Sequence, residues 1–229
     1  CAHPEKSKWV RCFPTLLFNK SFYIQCYPEV RRYYGAYYHF VRHGYPEGRA
    51  GVVYHEHNGQ QPFDEKKETV LLVTHEASRT GAPILTLNLA NQLNKSFNVI
   101  LVTLAGGEIL PFFKTACVKL FHAHTRDAIL LAPVFRHIST HYKLHYCLVN
   151  SIEAAVALPL FSRQFVPTLL LIHEFYSYTW PSERMVHAVN WAHQTVFSSQ
   201  LTRTNAMQNL MMREALQESL VLPQGKCQI

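Results

Sequence analysis

Residues 69–93 read TVLLVTHEASRTGAPILTLNLANQL. The opening TVLLVT, Thr69–Thr74, is a short apolar run between polar neighbours. It shows no alternation, so it reads as a strand buried on both faces. A helix over residues 83–94 follows, with Leu85, Leu87, Leu89, Ala90 and Leu93 on and around its apolar side. The same grammar continues downstream. Strands are predicted at residues 98–104, 118–121, 146–149, 168–172, 195–197 and 220–222. Helices are predicted at 108–116, 127–141, 152–163, 182–193 and 201–217. Strands that alternate with helices imply right-handed crossovers and an α/β, Rossmann-like parallel sheet with helices on both faces.

Upstream the grammar differs. Residues 1–54 are rich in Tyr, Phe, His and Arg and read as a small helical module. Ser21 suits a helix cap, Pro28 a helix start, and Tyr37 to His43 a short amphipathic helix closed by Gly44 in the C′ position. Residues 55–67, HEHNGQQPFDEKK, are polar with Gly and Pro and read as a linker. Residues 68–229 form the Rossmann-like domain.

Composition bounds the function. Hydrophobic residues make up 48%, enough for a real core, and no run is long and apolar enough to span a bilayer. The net charge of +7 is spread over both regions without a dense run, which argues against a nucleic-acid partner. It is compatible with an anionic substrate or an anionic membrane surface. The six cysteines, Cys1, Cys12, Cys26, Cys117, Cys147 and Cys227, contain no Cys-x-x-Cys pair. Cys117 and Cys147 stand in apolar contexts and read as buried thiols, so a cytoplasmic setting is expected. The chain opens on Cys1 rather than Met, with no charged-then-apolar leader, and is expected to be a fragment or a processed chain.

Ligands of open parallel sheets bind beyond the carboxyl ends of the strands, so those loops carry the candidates. The first is His75–Pro83, HEASRTGAP. Gly81 admits a close backbone approach, the helix start favours an anion, and Arg79 offers a forked set of donors. The same residues also make an ordinary loop with Thr80 as cap. The loop is neither a P-loop nor Gly-x-Gly-x-x-Gly, which disfavours a nicotinamide enzyme. Gly106-Gly107 suits a tight turn better than a ligand contact. His173-Glu174 follows the strand 168–172 and suits acid–base or hydrogen-bonding work; packing at the sheet edge is the plainer role. The cluster Phe175, Tyr176, Tyr178 and Trp180 favours function, since aromatic faces stack on sugar rings. Asn150-Ser151 and Ser198-Ser199 read as caps, and Asn150 also stands within reach of a ligand hydroxyl.

Fourteen histidines raise the question of a metal. His137, His141 and His145 are four apart, and His55/His57 and His122/His124 are close pairs. No His-Glu-x-x-His accompanies them, so no metal is expected. No Gly-x-Ser-x-Gly elbow supports a hydrolase.

The stretch ETVLLVTHEASRTGAPILTLNLANQL (68–93) resembles the opening of bacterial family 4-like glycosyltransferases. LVNSIEAA (148–155), LLIHEFYSYT (170–179), VFSSQLTR (196–203) and VLPQG (221–225) resemble further segments of the same enzymes, in the same order. Residues 18–54 resemble a small helical repeat found beside such domains in surface-polysaccharide enzymes. The resemblance implies the N-terminal, acceptor-binding half of a GT-B fold, retaining and metal-independent, with no cofactor and a nucleotide-sugar as co-substrate. It implies that Arg79, Thr80, Gly81 and Ala82 face the donor's phosphate and sugar. His173 matches the family's active-site histidine, with Glu174 beside it as the second catalytic candidate. His173 would orient a sugar hydroxyl or steady developing positive charge through its carbonyl. His75, Asn150, Phe175, Tyr176 and Tyr178 are the acceptor candidates. The expected acceptor is a glycan or lipid-linked glycan, at the cytoplasmic side with peripheral membrane contact. The chain stops where that family's C-terminal donor domain would start, so the expected partner is that missing domain, and the chain alone is expected to be inactive. The alternative is a non-catalytic module that binds glycan or protein.

Overall fold

A computed structural model describes residues 18–33, 35–47, 49–225 and 227. Cys1, Cys12, Gly48 and Ile229, and with them the first part of the helical module, lie outside the described residues. The chain divides into two compact units, Cys1–Val53 and Tyr54–Ile229.

In the smaller unit, helix Lys20–Cys26 is capped by Asn19, whose side chain accepts the Phe22 N–H at 2.8 Å. Ser21, expected as the cap, lies inside the helix, because only Asn19 has the extended backbone a cap needs. A 3₁₀ helix, Pro28–Arg32, begins on its proline. Helix Ala36–His39 passes into a π-helical turn, Phe40–Gly44. Gly44 is therefore not a C′ cap. It is buried, and a Cβ there would meet the Tyr23 hydroxyl at 2.0 Å. The glycine serves the packing of Tyr23, which with Val30, Ala36 and Phe40 forms the core of this unit.

The larger unit is an eight-stranded sheet: β1 Tyr54–Asn58, β2 Thr69–Thr74, β3 Asn98–Thr103, β4 Lys119–Ala123, β5 Tyr146–Asn150, β6 Thr168–Ile172, β7 Gln194–Phe197 and β8 Leu220–Val221. The order is β1-β4-β3-β2-β5-β6-β7-β8. β2 to β8 are parallel, and β1 is antiparallel to β4. Every residue of β2 and β3 is buried, as an unalternating apolar run demands.

Two expectations are corrected. Residues 55–67 are not a free linker. β1 occupies the start, and Asn98 ties the rest through bonds with the Asp64 N–H and the Asp64 and Lys67 carbonyls at 2.8–3.0 Å. The helices expected at 152–163 and 201–217 are each broken. The first is a 3₁₀ helix, Ile152–Ala157, followed by Leu158–Ser162 with a proline in its first turn. The second is Gln200–Ala206, then Leu210–Arg213 with Asn209 as a new cap.

The chain runs outward from β2 to β3 and β4 on one side, then returns to β5 on the other. The connections diverge between β2 and β5, which opens a crevice at the carboxyl ends of those strands.

Candidate functional site

Asn150, the last residue of β5, is fully buried at this divergence. Its side-chain N–H₂ donates to the Ala82 carbonyl and the Thr86 hydroxyl, each at 2.7 Å, in the helix Gly81–Leu93 that follows β2. A carbonyl only accepts, so these bonds fix the amide with Oδ1 turned the other way. There Oδ1 lies 2.6 Å from Nε2 of His173, the residue after β6. One buried amide thus links three elements across the crevice.

His173 has a second partner. The side-chain amide of Gln224, beyond β8, meets its Nδ1. Burial pushes the ring's pKa down, and the nearby Glu174 charge opposes that push. At neutral pH this favours the neutral ring, which carries one proton. Asn150 Oδ1 can only accept, so the proton sits on Nε2, and Gln224 donates to the bare Nδ1.

Glu174 is held as firmly. One carboxylate oxygen accepts from the Ser151 hydroxyl, the other from the His173 backbone N–H at 3.0 Å. Ser151 stands at φ 83°, ψ 147°, which costs a non-glycine residue on the order of 1–3 kcal/mol. Its N–H to the Leu171 carbonyl (3.0 Å) and its hydroxyl, which also accepts from Glu153 N–H (3.1 Å), hold it there.

The start of helix Gly81–Leu93 forms the facing rim. Thr80 is at the cap position but makes no capping bond; its hydroxyl lies 2.9 Å from that of Ser78, which donates to Glu76 at 2.5 Å. Gly81 is exposed, with open space where a Cβ would stand. Arg79 is also exposed. The helix therefore presents its positive end to an open surface. Gly107 stands at φ 159° in the turn before the next helix, and it has a second use there. A Cβ there would lie 2.2 Å from the Ala77 backbone, so the glycine lets the loop after β3 close on the loop after β2.

Charges run between these loops. Arg126 meets Glu76 at 3.5 Å and Glu153 at 3.2 Å, and Arg184 meets Glu153 at 3.0 Å. Arg126 also donates to the His75 carbonyl at 3.4 Å. His75 is half-buried, its Nδ1 has no partner, and burial lowers its pKa against the pull of Glu76.

The aromatic cluster separates. Tyr176 accepts a bond from Asn209 at 2.5 Å and so faces the helix Leu210–Arg213. Phe175 meets Tyr178 edge-on at 6.0 Å. Tyr178 and Trp180 are 86% and 85% exposed.

Among the predicted residues, Ala82, Asn150, His173 and Glu174 are drawn together. Arg79 and Tyr178 stand outside that group. Gln224, Ser151, Arg126, Glu153 and Arg184 join it without having been singled out as site residues. Gln224 and Ser151 lie in strand-end loops that the pattern marked, whereas Arg126 and Arg184 carry no local signal.

The histidine pairs also meet. Pairing of β1 with β4 sets His55 opposite His122. The His55 and His124 rings lie 4.9 Å apart, and the His122 and His124 rings 4.3 Å. Among the described residues, no three His, Cys, Asp or Glu side chains are arranged to hold a metal ion. No helix among them is long and apolar enough to cross a membrane.

No protein-family model matches the chain, and no curated protein matches it. Solved structures do. Anabaena Alr3699/HepE in complex with UDP-glucose superposes with a TM-score of 0.55 at 15% identity, over 69% of this chain and 44% of that one. The same Anabaena protein in complex with UDP and glucose gives 0.52 at 16% identity, over 69% and 45%. The chain thus spans under half the length of that Anabaena protein. The fold is the Rossmann-like α/β sheet of GT-B glycosyltransferases.

Proposed function

We propose that the unit Tyr54–Ile229 is the acceptor-side half of a glycosyltransferase that moves a sugar from a nucleoside diphosphate to a glycan or lipid-linked glycan. The observation that carries this is the line from Ala82 through Asn150 to His173. It joins an open helix start to a histidine of fixed tautomer at the point where the sheet reverses. UDP-glucose in the Anabaena structure supports the donor class.

In this reading the helix start at Thr80–Ala82 faces the donor's diphosphate. His173 orients a hydroxyl of the transferred sugar, and Glu174 and Ser151 hold the His173 loop in place. Tyr178 and Trp180 offer ring faces to the acceptor. The bond from the anomeric carbon to the diphosphate oxygen breaks, and its electron pair leaves with the diphosphate. A bond to the acceptor hydroxyl oxygen forms, and the hydroxyl proton passes to the departing phosphate oxygen. Retention of anomeric configuration belongs to the reading, as does a cytoplasmic site in surface-polysaccharide synthesis. So does a second, donor-binding domain beyond this chain.

The test uses protein that carries this chain together with a donor-binding domain, supplied with several nucleotide-sugars. Transfer is followed as release of nucleoside diphosphate that depends on acceptor. His173→Ala is expected to lose at least about 10²-fold in rate with its circular dichroism unchanged. Wild-type turnover by that variant refutes the role of His173. Absence of transfer by the wild type with every donor refutes the enzyme and leaves the binding module.

A further inference from the structure

Gln224 belongs to the last described stretch of chain. Leu222 donates to the Phe197 carbonyl at 2.9 Å, the final bond to the sheet. Two residues later, past Pro223, the Gln224 side chain reaches back across 51 positions of sequence to the His173 ring. Leu222–Gly225 is exposed throughout, so the contact is not forced by core packing. A long side chain loses about 2 kcal/mol of rotamer freedom when fixed, and a compensating bond must hold it.

We infer that Gln224 is a positioning residue that sets the protonation state of the His173 ring, and so makes the ring respond to where the segment after β8 lies. The logic is one of donors and acceptors. Asn150 claims the proton on Nε2, and its amide is pinned by Ala82 and Thr86. Gln224 then satisfies the lone pair on Nδ1. Asn150 Oδ1 places a proton on Nε2 in the neutral and the charged ring alike, so it is the Gln224 donor on Nδ1 that favours the neutral form. The Nδ1 contact lies at the exposed side of the ring. Movement of the segment after Val221 therefore removes the donor and opens this nitrogen to a ligand hydroxyl. The charged group that acts on the ring is Glu174, whose carboxylate is itself tied to Ser151 and to the His173 N–H.

The inference rests on the proposed transfer site for its use, but its test does not depend on transfer. His173 ring nitrogens in the 229-residue chain are titrated by NMR in the wild type, Gln224→Ala and Gln224→Glu. Loss of a donor to the neutral ring is expected to raise the His173 pKa by about half a unit to one unit in the alanine variant. Glutamate has the same shape, but its carboxylate only accepts and favours a proton on Nδ1, so a larger rise is expected. A titration unmoved in both variants overturns the inference. Shifted titrations alongside wild-type transfer by His173→Ala uphold it and overturn the catalytic reading instead.

Discussion

Two groups of histidines stand at carboxyl ends of strands in one sheet, and they are built differently. His173, beside β6, has a partner for each ring nitrogen. His122 and His124, on and just past β4, each have an Nε2 shielded from solvent with no partner. Burial discourages the proton at both places. It pushes His122 down to about 4, helped by His55, His57 and Lys114, and His124 to about 3, helped by His122, His55 and His57. Neutrality therefore does not set the two groups apart. Specification of the tautomer does: Asn150 and Gln224 decide where the His173 proton sits, and nothing decides it for His122 and His124. Chemistry needs the first kind of histidine, and crowding at a sheet edge produces the second.

The sharpest way to break this contrast is to remove what specifies His173. Asn150→Ala leaves His173 Nε2–H without its partner and takes one partner each from the Ala82 carbonyl and the Thr86 hydroxyl, which keep their bond to each other, in a fully buried place. A loss of about 1–3 kcal/mol is expected in urea unfolding. A loss within measurement error shows that the amide does not organise the crevice. Next in size is a pH effect at the other group. The folded pKa values of His122 and His124 lie below the unfolded value, so the unfolded chain binds more protons as pH falls. Stability is expected to be full above about pH 7 and to decline toward about pH 4. The double variant His122→Leu/His124→Leu should flatten that slope in urea midpoints taken across the range. An unchanged slope assigns the acid sensitivity elsewhere. The smallest effect belongs to the charges between the loops. Arg126 is 42% exposed, and Arg126→Ala should cost under about 1 kcal/mol, less at high salt. A larger loss would make that network a rival organiser of the crevice.

The sequence announced what depends on side-chain burial and hid what depends on pairing. TVLLVT is legible because a strand covered on both faces needs uninterrupted aliphatics, and TLLLI is legible as an aliphatic run although Leu169 and Leu171 are only half-buried; β2 and β6 begin and end where those runs do. β1 is not legible. YHEHN is a polar string that becomes a strand only because β4 has a free edge to offer it. Helix breaks at Asn209 and Pro159 hide for a related reason, since the apolar spacing runs on across them. At the site, Asn150 and His173 lie in loops that the strand pattern marks. The bond from Gln224 spans 51 residues, and the backbone angle of Ser151 has no signature in a serine.

The short antiparallel strand also has a bearing on how the molecule behaves at high concentration. β4 carries Leu120 and Phe121, both fully buried, and β1 occupies its outer row of amides and carbonyls. The strand that faces outward in its place carries His55 and Glu56, with Glu56 held by Lys119 at 2.6 Å. Charge on an outermost strand discourages a second molecule from adding to the sheet. A version of the chain cut after Asn58 would exchange that polar border for the bare edge of β4, a template for self-association. Residues 54–58 are thus expected to keep a second copy from pairing with β4.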